Sequence, residues 1–281
     1  MNFQSQNSGW QGYLELKYKN LNGATQAIHA QSQAPLKVQR PFYPEGDSVC
    51  HSVVLHTAGG VVGGDCLTQN IHLDDHAQAL MTTAAAGKVY RSNGQLAIQK
   101  INLSLKAGAC LEWLPQETII FNGAIYRQDL RVELEPGASW LGWEITRFGR
   151  TARGEKFTEG EWRSRTEVWQ QGKPIFVDRQ WLPASEEIFH GLHGLAGYPV
   201  VASLIWIGQP IPSELLQKAR DLWTQGEYKG EAGVTFTLGQ GLLCRYRGFS
   251  TSEARDWLIK VWGMLRPILL QRPALKLRIW Q

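Results

Sequence analysis

No stretch of this chain is apolar over the roughly 20 residues needed to cross a bilayer as a helix. Nor does the polar segment from Met1 to Trp10 contain the apolar core of a secretory leader. Cysteine is sparse: Cys50, Cys66, Cys110 and Cys244 form no Cys-x-x-Cys pair, and their spacing matches neither a zinc ribbon nor a zinc finger. These absences predict a cytoplasmic protein with reduced thiols and no membrane association. Basic clusters are missing too. The formal net charge is +4, but Lys and Arg are scattered, whereas nucleic-acid binders gather them on a stripe. The phosphate-loop pattern G-x-x-x-x-G-K-[ST] and the dinucleotide pattern G-x-G-x-x-G do not occur. No G-x-S-x-G elbow presents a nucleophilic serine.

What is present points to a β-rich chain. Of 281 residues, 43% are hydrophobic, enough for a sizeable core, and no linker rich in Gly, Ser or Pro divides them. A single domain over 1–281 is predicted. Glycine (29) and tryptophan (12) are both abundant. That pairing suits strands joined by tight turns, with the tryptophans serving either a core or interaction surfaces.

A loose repeat supports this. Asp75-His76-Ala77, Ala107-Gly108-Ala109 and Pro136-Gly137-Ala138 each end a polar turn between two strand-like runs, and Ala77, Ala109 and Ala138 are 32 and 29 residues apart. Ile101–Leu105 and Leu130–Leu134 alternate apolar and polar residues, the period of a strand with one buried face. A period of this size predicts stacked units, none able to bury its own face alone. Val234–Leu243 is a weaker echo of the same pattern. Further strands are predicted over 12–18, 24–30, 36–39, 163–169 and 174–181. Helices are predicted over about 212–225 and 250–270. The first has Pro212 and a possible Ser213 cap; the second has the capping box Ser250-x-x-Glu253 and Pro267 to kink or end it. The fold expected is mainly β, a flattened β-helix or solenoid of stacked sheets with a body over about 10–210 and 231–249 and two helices near its C-terminal end.

Several residues could carry chemistry. Gly59-Gly60 and Gly63-Gly64 flank Val61-Val62, allowing close backbone approach, and His56 and Asp65 bracket this loop. His56 and Asp65 could bind a metal, or Asp65 could simply cap backbone N–H groups of a turn. His72, Asp74, Asp75 and His76 occupy a turn whose repeats use other polar residues, so a solvated turn accounts for them. His190-x-x-His193 has suitable ligands but nothing to fix their geometry. Glu117, Glu144 and Asp178 each interrupt an apolar, strand-like stretch. Facing inward, such a carboxylate must be paired, hydrogen-bonded or metal-bound; facing outward, it is merely solvated. A carboxylate pair for sugar hydrolysis on adjacent coils also fits the pattern.

An ordered set of short motifs then resembles one family, the UreD (UreH) urease accessory proteins. The set includes Val38-Gln39-Arg40-Pro41-Phe42-Tyr43-Pro44-Glu45, Leu55-His56 with Gly59–Asp65, and Lys88-Val89-Tyr90-Arg91-Ser92. It continues with Leu111–Thr118, Gly142-Trp143-Glu144 with Gly149-Arg150, Leu265-Arg266-Pro267 and Arg278-Ile279-Trp280. The resemblance implies a flattened β-helix with C-terminal helices and no catalytic activity of its own. It implies a UreF-type partner, a UreG-type GTPase recruited through it, and docking of the assembly on apo-urease, with a dimer of such heterocomplexes as one arrangement. It further implies GTP-dependent nickel insertion, with transient Ni²⁺ rather than a resident cofactor and a channel as the ion's route. The acidic positions associated with that route match Asp65, Glu144 and Asp178; His56 joins them as a candidate, with Cys66 and Glu117 as weaker ones. Two other readings of the chain are a β-helix carbohydrate-active enzyme and a simple nickel-binding protein.

Overall fold

The computed structural model describes residues 9–239, 241–275 and 277–280. The leader reading therefore lies mostly outside the described residues, as does Gln240 of the repeat echo. The chain opens with a hairpin, β1 (Gln11–Leu21) and β2 (Ala24–Gln33), and a short β3 (Leu36–Val38). It then winds through β4 (Cys50–His56), β5 (Cys66–Leu73), β6 (Gln78–Thr83), β7 (Gly87–Val89), β8 (Ala97–Leu105), β9 (Cys110–Trp113), β10 (Thr118–Ile120), β11 (Ile125–Leu134), β12 (Ser139–Phe148) and β13 (Glu161–Gln170). The long strands fall alternately on two sheets. β5, β8, β11 and β13 are parallel neighbours in a seven-stranded sheet, and β4, β6, β9 and β12 are parallel neighbours in a ten-stranded one. This is a flattened β-helix, as expected.

The repeat is visible atom by atom. Ala77, Ala109 and Ala138 each donate an N–H three residues back, to Asp74, Lys106 and Glu135, at 3.0 Å. Coil to coil, Cys110 N–H reaches Ala77 O at 3.0 Å and Ser139 N–H reaches Ala109 O at 2.9 Å. The three alanines are buried and belong to the core between the sheets.

Past β13 the chain reverses. β14 (Lys173–Pro183) returns antiparallel on β13, and β15 (Val200–Ile207) runs antiparallel to β12. Next come α2 (Ser213–Thr224), β16 (Glu231–Phe236), β17 (Leu242–Gly248) and α3 (Thr251–Leu269); α1 (Glu186–His190) is a single turn between β14 and β15. Four local expectations need correction. β16 and β17 form an antiparallel hairpin, not another coil, because strand–Gly turn–strand is the local signature of both. α1 is a third helix, too short for a periodic stripe to betray, and Ser185 caps it through Ile188 N–H at 3.0 Å. α2 has Pro212, not Ser213, at its N-cap, with no side-chain cap bond. Pro267 stays within α3, which ends two residues later. Ser250 does cap α3, accepting from Glu253 N–H at 3.2 Å.

Three layers result. One core lies between the two sheets; the other lies between the ten-stranded sheet and α2 and α3. The ten-stranded sheet is thus covered on both faces, and its central strands are apolar on both. On β12, Trp140 and Phe148 pack toward the other sheet while Leu141, Trp143 and Ile145 pack toward the helices. Trp257, Leu258, Val261, Trp262 and Leu265 form the buried stripe of α3 predicted from spacing. Each such side chain contributes about 1.5–3 kcal/mol by leaving water. Most of the tryptophan serves these cores; Trp10 and Trp181 stand out as exposed. No helix of the described residues is long and apolar enough to cross a membrane.

Candidate functional site

A cavity of about 420 Å³ lies between the two sheets. Its mouth is made by Ala58, Gly59 and Gly60 on one loop and Ala84–Lys88 on the next. Glycine is required at the rim: a Cβ on Gly60 would lie 2.7 Å from the Lys88 carbonyl oxygen. Deeper in the loop Gly64 adopts φ +92°, a region closed to most side chains, and packs on Gln95. Gly63 likewise closes on Ser92 and Gln95.

His56, at the end of β4, lines the cavity. Its Nδ1 lies 3.0 Å from the Ala58 carbonyl oxygen, and a carbonyl can only accept. Nδ1 therefore carries the proton, and in the neutral ring Nε2 presents a lone pair. That nitrogen is buried and has no hydrogen-bond partner among the described residues. Gln69 Oε1 and Trp140 Nε1 share this state and belong to the same cavity wall. Buried polar atoms are normally satisfied, so three such groups around one cavity mark it as a place for a polar occupant.

Glu144 is the one carboxylate among the described residues lining this cavity. It lies on the inter-sheet face of β12, with Trp140 and Phe148, so strand parity turns it inward rather than to solvent. Ser164, on β13 of the opposite sheet, donates to its Oε2 at 2.9 Å; Thr146 approaches Oε1 at 3.4 Å. Burial pushes the Glu144 carboxyl up to about 7, and the negative Asp178 adds to this against the opposing bonds from Ser164 and Thr146. At neutral pH the group is poised between its neutral and charged forms.

Asp178 also faces inward. In register it stands beside Thr166, a cavity-lining residue. Its carboxylate is paired with Arg245 of β17 at 2.7 Å and accepts from Gln180 at 2.9 Å. The remaining candidates lie elsewhere. Asp65 is fully buried off the cavity, its two oxygens accepting from Trp10 N–H at 2.8 Å and Val62 N–H at 2.9 Å. This is the capping geometry, which holds the glycine loop closed. Glu117 is paired with Arg255 of α3. Cys66 begins β5 and does not line the cavity. His190 sits in an exposed cluster with Lys156 and Glu186. Among the described residues no three His, Cys, Asp or Glu side chains converge as a metal cage.

One buried polar cluster went unassigned in the sequence. Arg266 of α3 donates to Glu112 of β9 at 3.0 Å through each of two nitrogens, and to Glu45 at 2.6 and 2.7 Å. Trp262 Nε1 adds a bond to Glu112 at 2.6 Å, and His51 Nε2 lies 2.6 Å from Glu45. Both Glu112 and Arg266 fall in the family-like motifs, the only signal that could have singled them out.

The fold and cavity together define a hollow, two-sheet β-solenoid backed by a helical layer. The family model for the UreD urease accessory protein matches residues 11–281. A urease accessory protein UreD from Nostoc sp. is 64% identical over 273 residues, covering 97% of this chain and 96% of that protein. The counterpart of the same name in Trichormus variabilis is 62% identical over 282 residues, covering all of both chains. That of Microcystis aeruginosa is 55% identical, covering 96% and 98%. The chain belongs to the UreD urease accessory protein family.

Proposed function

We propose that this chain is a non-catalytic, cytoplasmic subunit of the urease maturation machinery and that its inter-sheet cavity carries nickel. In this scheme a UreF-type partner binds the chain, a UreG-type GTPase joins through that partner, and the assembly delivers Ni²⁺ to apo-urease with GTP hydrolysis. The observation that carries the proposal is Glu144, the single carboxylate among the described residues lining the cavity, set inward of the mouth where Lys88 stands.

The chemistry favours passage over storage. Ni²⁺ accepts imidazole nitrogen and carboxylate oxygen. A closed cage would trap it, whereas conduction needs sites weak enough to leave. His56 offers one free nitrogen at the mouth side, Glu144 one carboxylate inside, and Asp178 another at the far end. An arriving cation displaces the proton that burial favours on Glu144, and its departure restores the proton, so the site resets itself. Asp65 enters the scheme through the loop it holds.

Sugar hydrolysis, by contrast, requires two carboxyl groups about 5–9.5 Å apart on either side of a substrate. Here Glu144 is the one carboxylate of the described cavity wall, and Asp178 is already paired with Arg245. The test is reconstitution. Apo-urease is incubated with nickel, GTP and the UreF- and UreG-type proteins, with and without this chain. Activation that requires the chain is expected; equal activation in its absence overturns the proposal.

A further inference from the structure

On the seven-stranded sheet the cavity wall stops at β13, with Thr166; on the ten-stranded sheet it stops at β15, with Ser203. The next strands outward are β14 and β17. Thr166 pairs in register with Asp178, and Ser203 pairs with Arg245. Register partners on neighbouring strands share a face. Asp178 and Arg245 therefore both project into the gap between the sheets, one strand beyond the cavity on each side. There they meet, with Arg245 Nη2 at 2.7 Å from Asp178 Oδ1.

The pair has further distinguishing features. Among the described residues it is the only ion pair that joins a strand of one sheet to a strand of the other. Its two members differ in exposure: the Asp178 side chain is 13% exposed and that of Arg245 is 40%. The carboxylate thus belongs to the interior, while the guanidinium reaches it from the solvent side on a long, flexible stem. Gln180 donates to the other Asp178 oxygen at 2.9 Å, holding the carboxylate in place whether or not Arg245 is engaged. The Arg245 side chain makes no other hydrogen bond or ion pair among the described residues.

We propose that Asp178 and Arg245 form a latch that closes the far end of the cavity. Arg245 is a tethered cation, occupying the last carboxylate that a travelling cation would otherwise reach. Its charge is permanent at any physiological pH, so the latch opens by displacement rather than by titration of the arginine. When the pair separates, Asp178 becomes available as an oxygen ligand and the gap between β14 and β17 opens. The purpose of the latch depends on the cation route proposed above; its existence does not.

The test uses the full chain and neither nickel nor urease. Ser203→Cys places a thiol directly behind the latch. The probe is a polyethylene-glycol maleimide, whose polymer is too large to cross the cavity from the glycine-loop mouth. Modified sites are mapped by peptide mass, which separates the new thiol from Cys66. Adding Arg245→Gln, or separately Asp178→Asn, is expected to raise the labelling rate at position 203 by up to about fivefold, the scale of one partly exposed ion pair. Labelling of Cys244, on the helix-facing side of β17, is expected to stay unchanged. A rate at position 203 that neither substitution alters overturns the latch. So does a parallel rise at Cys244, which would show general loosening. If Ser203→Cys does not fold, Thr166→Cys reports from the opposite wall with the same outcomes. Because the readout involves no metal, failure here leaves the nickel route standing, and failure of the reconstitution leaves the latch standing.

Discussion

Arg266 and Glu112 lock the helical layer onto the solenoid: two parallel N–H···O contacts of 3.0 Å join α3 to β9 in a layer where both residues are almost wholly buried. Removing one partner strands a buried charge. Arg266→Met and Glu112→Leu are each expected to cost about 3–5 kcal/mol. Replacing both together (Arg266→Met with Glu112→Leu) should cost less than the sum of the two single changes, because each single change already loses the pair. Urea denaturation measures this; strictly additive costs would show that the two do not interact.

Acid stability should depend on Glu45. Burial alone would raise its carboxyl, but the bonds from His51 and Arg266 outweigh burial and hold it at about 2, against an ordinary value of 4.5. A carboxylate with a lowered folded-state pKa stabilises the fold above its unfolded value, and that stability is lost as pH falls through the folded value. Glu45→Gln should therefore be less stable than the parent at neutral pH by about 3 kcal/mol. The difference should shrink as pH falls from 4.5 toward about 2. Denaturant midpoints across that range provide the check; a pH-independent gap would contradict the pairing.

Glu144 should show the opposite sign. With its pKa raised from 4.5 to about 7, the folded state holds the proton more tightly than the unfolded chain does. Stability is then lost as pH rises across that window. Glu144→Gln keeps the shape and removes the ionisation. It should match the parent near pH 4 and exceed it by up to about 3 kcal/mol near pH 8. Parallel pH profiles for the two proteins would show that Glu144 is solvated rather than enclosed.

The stacked turns make a finer prediction. His76, Gly108 and Gly137 occupy the same turn position in successive coils, with φ of +59°, +67° and +81°. A Cβ on Gly137 meets nothing nearer than 3.7 Å, whereas one on Gly108 would sit 2.4 Å from His76 Nδ1. Gly137→Ala should cost about 1 kcal/mol from backbone strain alone. Gly108→Ala should cost more, because His76 must also move. Thermal melts rank the two; equal costs would mean that His76 yields freely.

The coils were legible because their signals are local. An alanine after each polar turn and alternation in the strands between suffice to show stacking, and a capping serine and apolar stripe suffice for α3. The orientation of Glu144 was not legible. Trp140, Leu141, Trp143 and Ile145 are all buried because β12 has a layer on each face, so the alternation that would tell inside from outside is erased. The pairings were hidden for a different reason. Arg266 lies 154 residues from Glu112, and Asp178 meets Arg245 only because β14 and β17 end on opposite sheets. Asp65 could be read as ligand or cap from its loop alone, and only the position of Trp10, 55 residues earlier, shows the backbone N–H it receives.

The most direct measurement is nickel-dependent activation of apo-urease by the reconstituted assembly containing Glu144→Gln. Binding of the chain to its UreF-type partner is measured in parallel. Activation rate is expected to fall roughly tenfold, corresponding to the loss of about 1.4 kcal/mol of cation stabilisation in the cavity, with partner binding unchanged. Parent-level activation by Glu144→Gln would contradict passage of the ion through the space between the sheets.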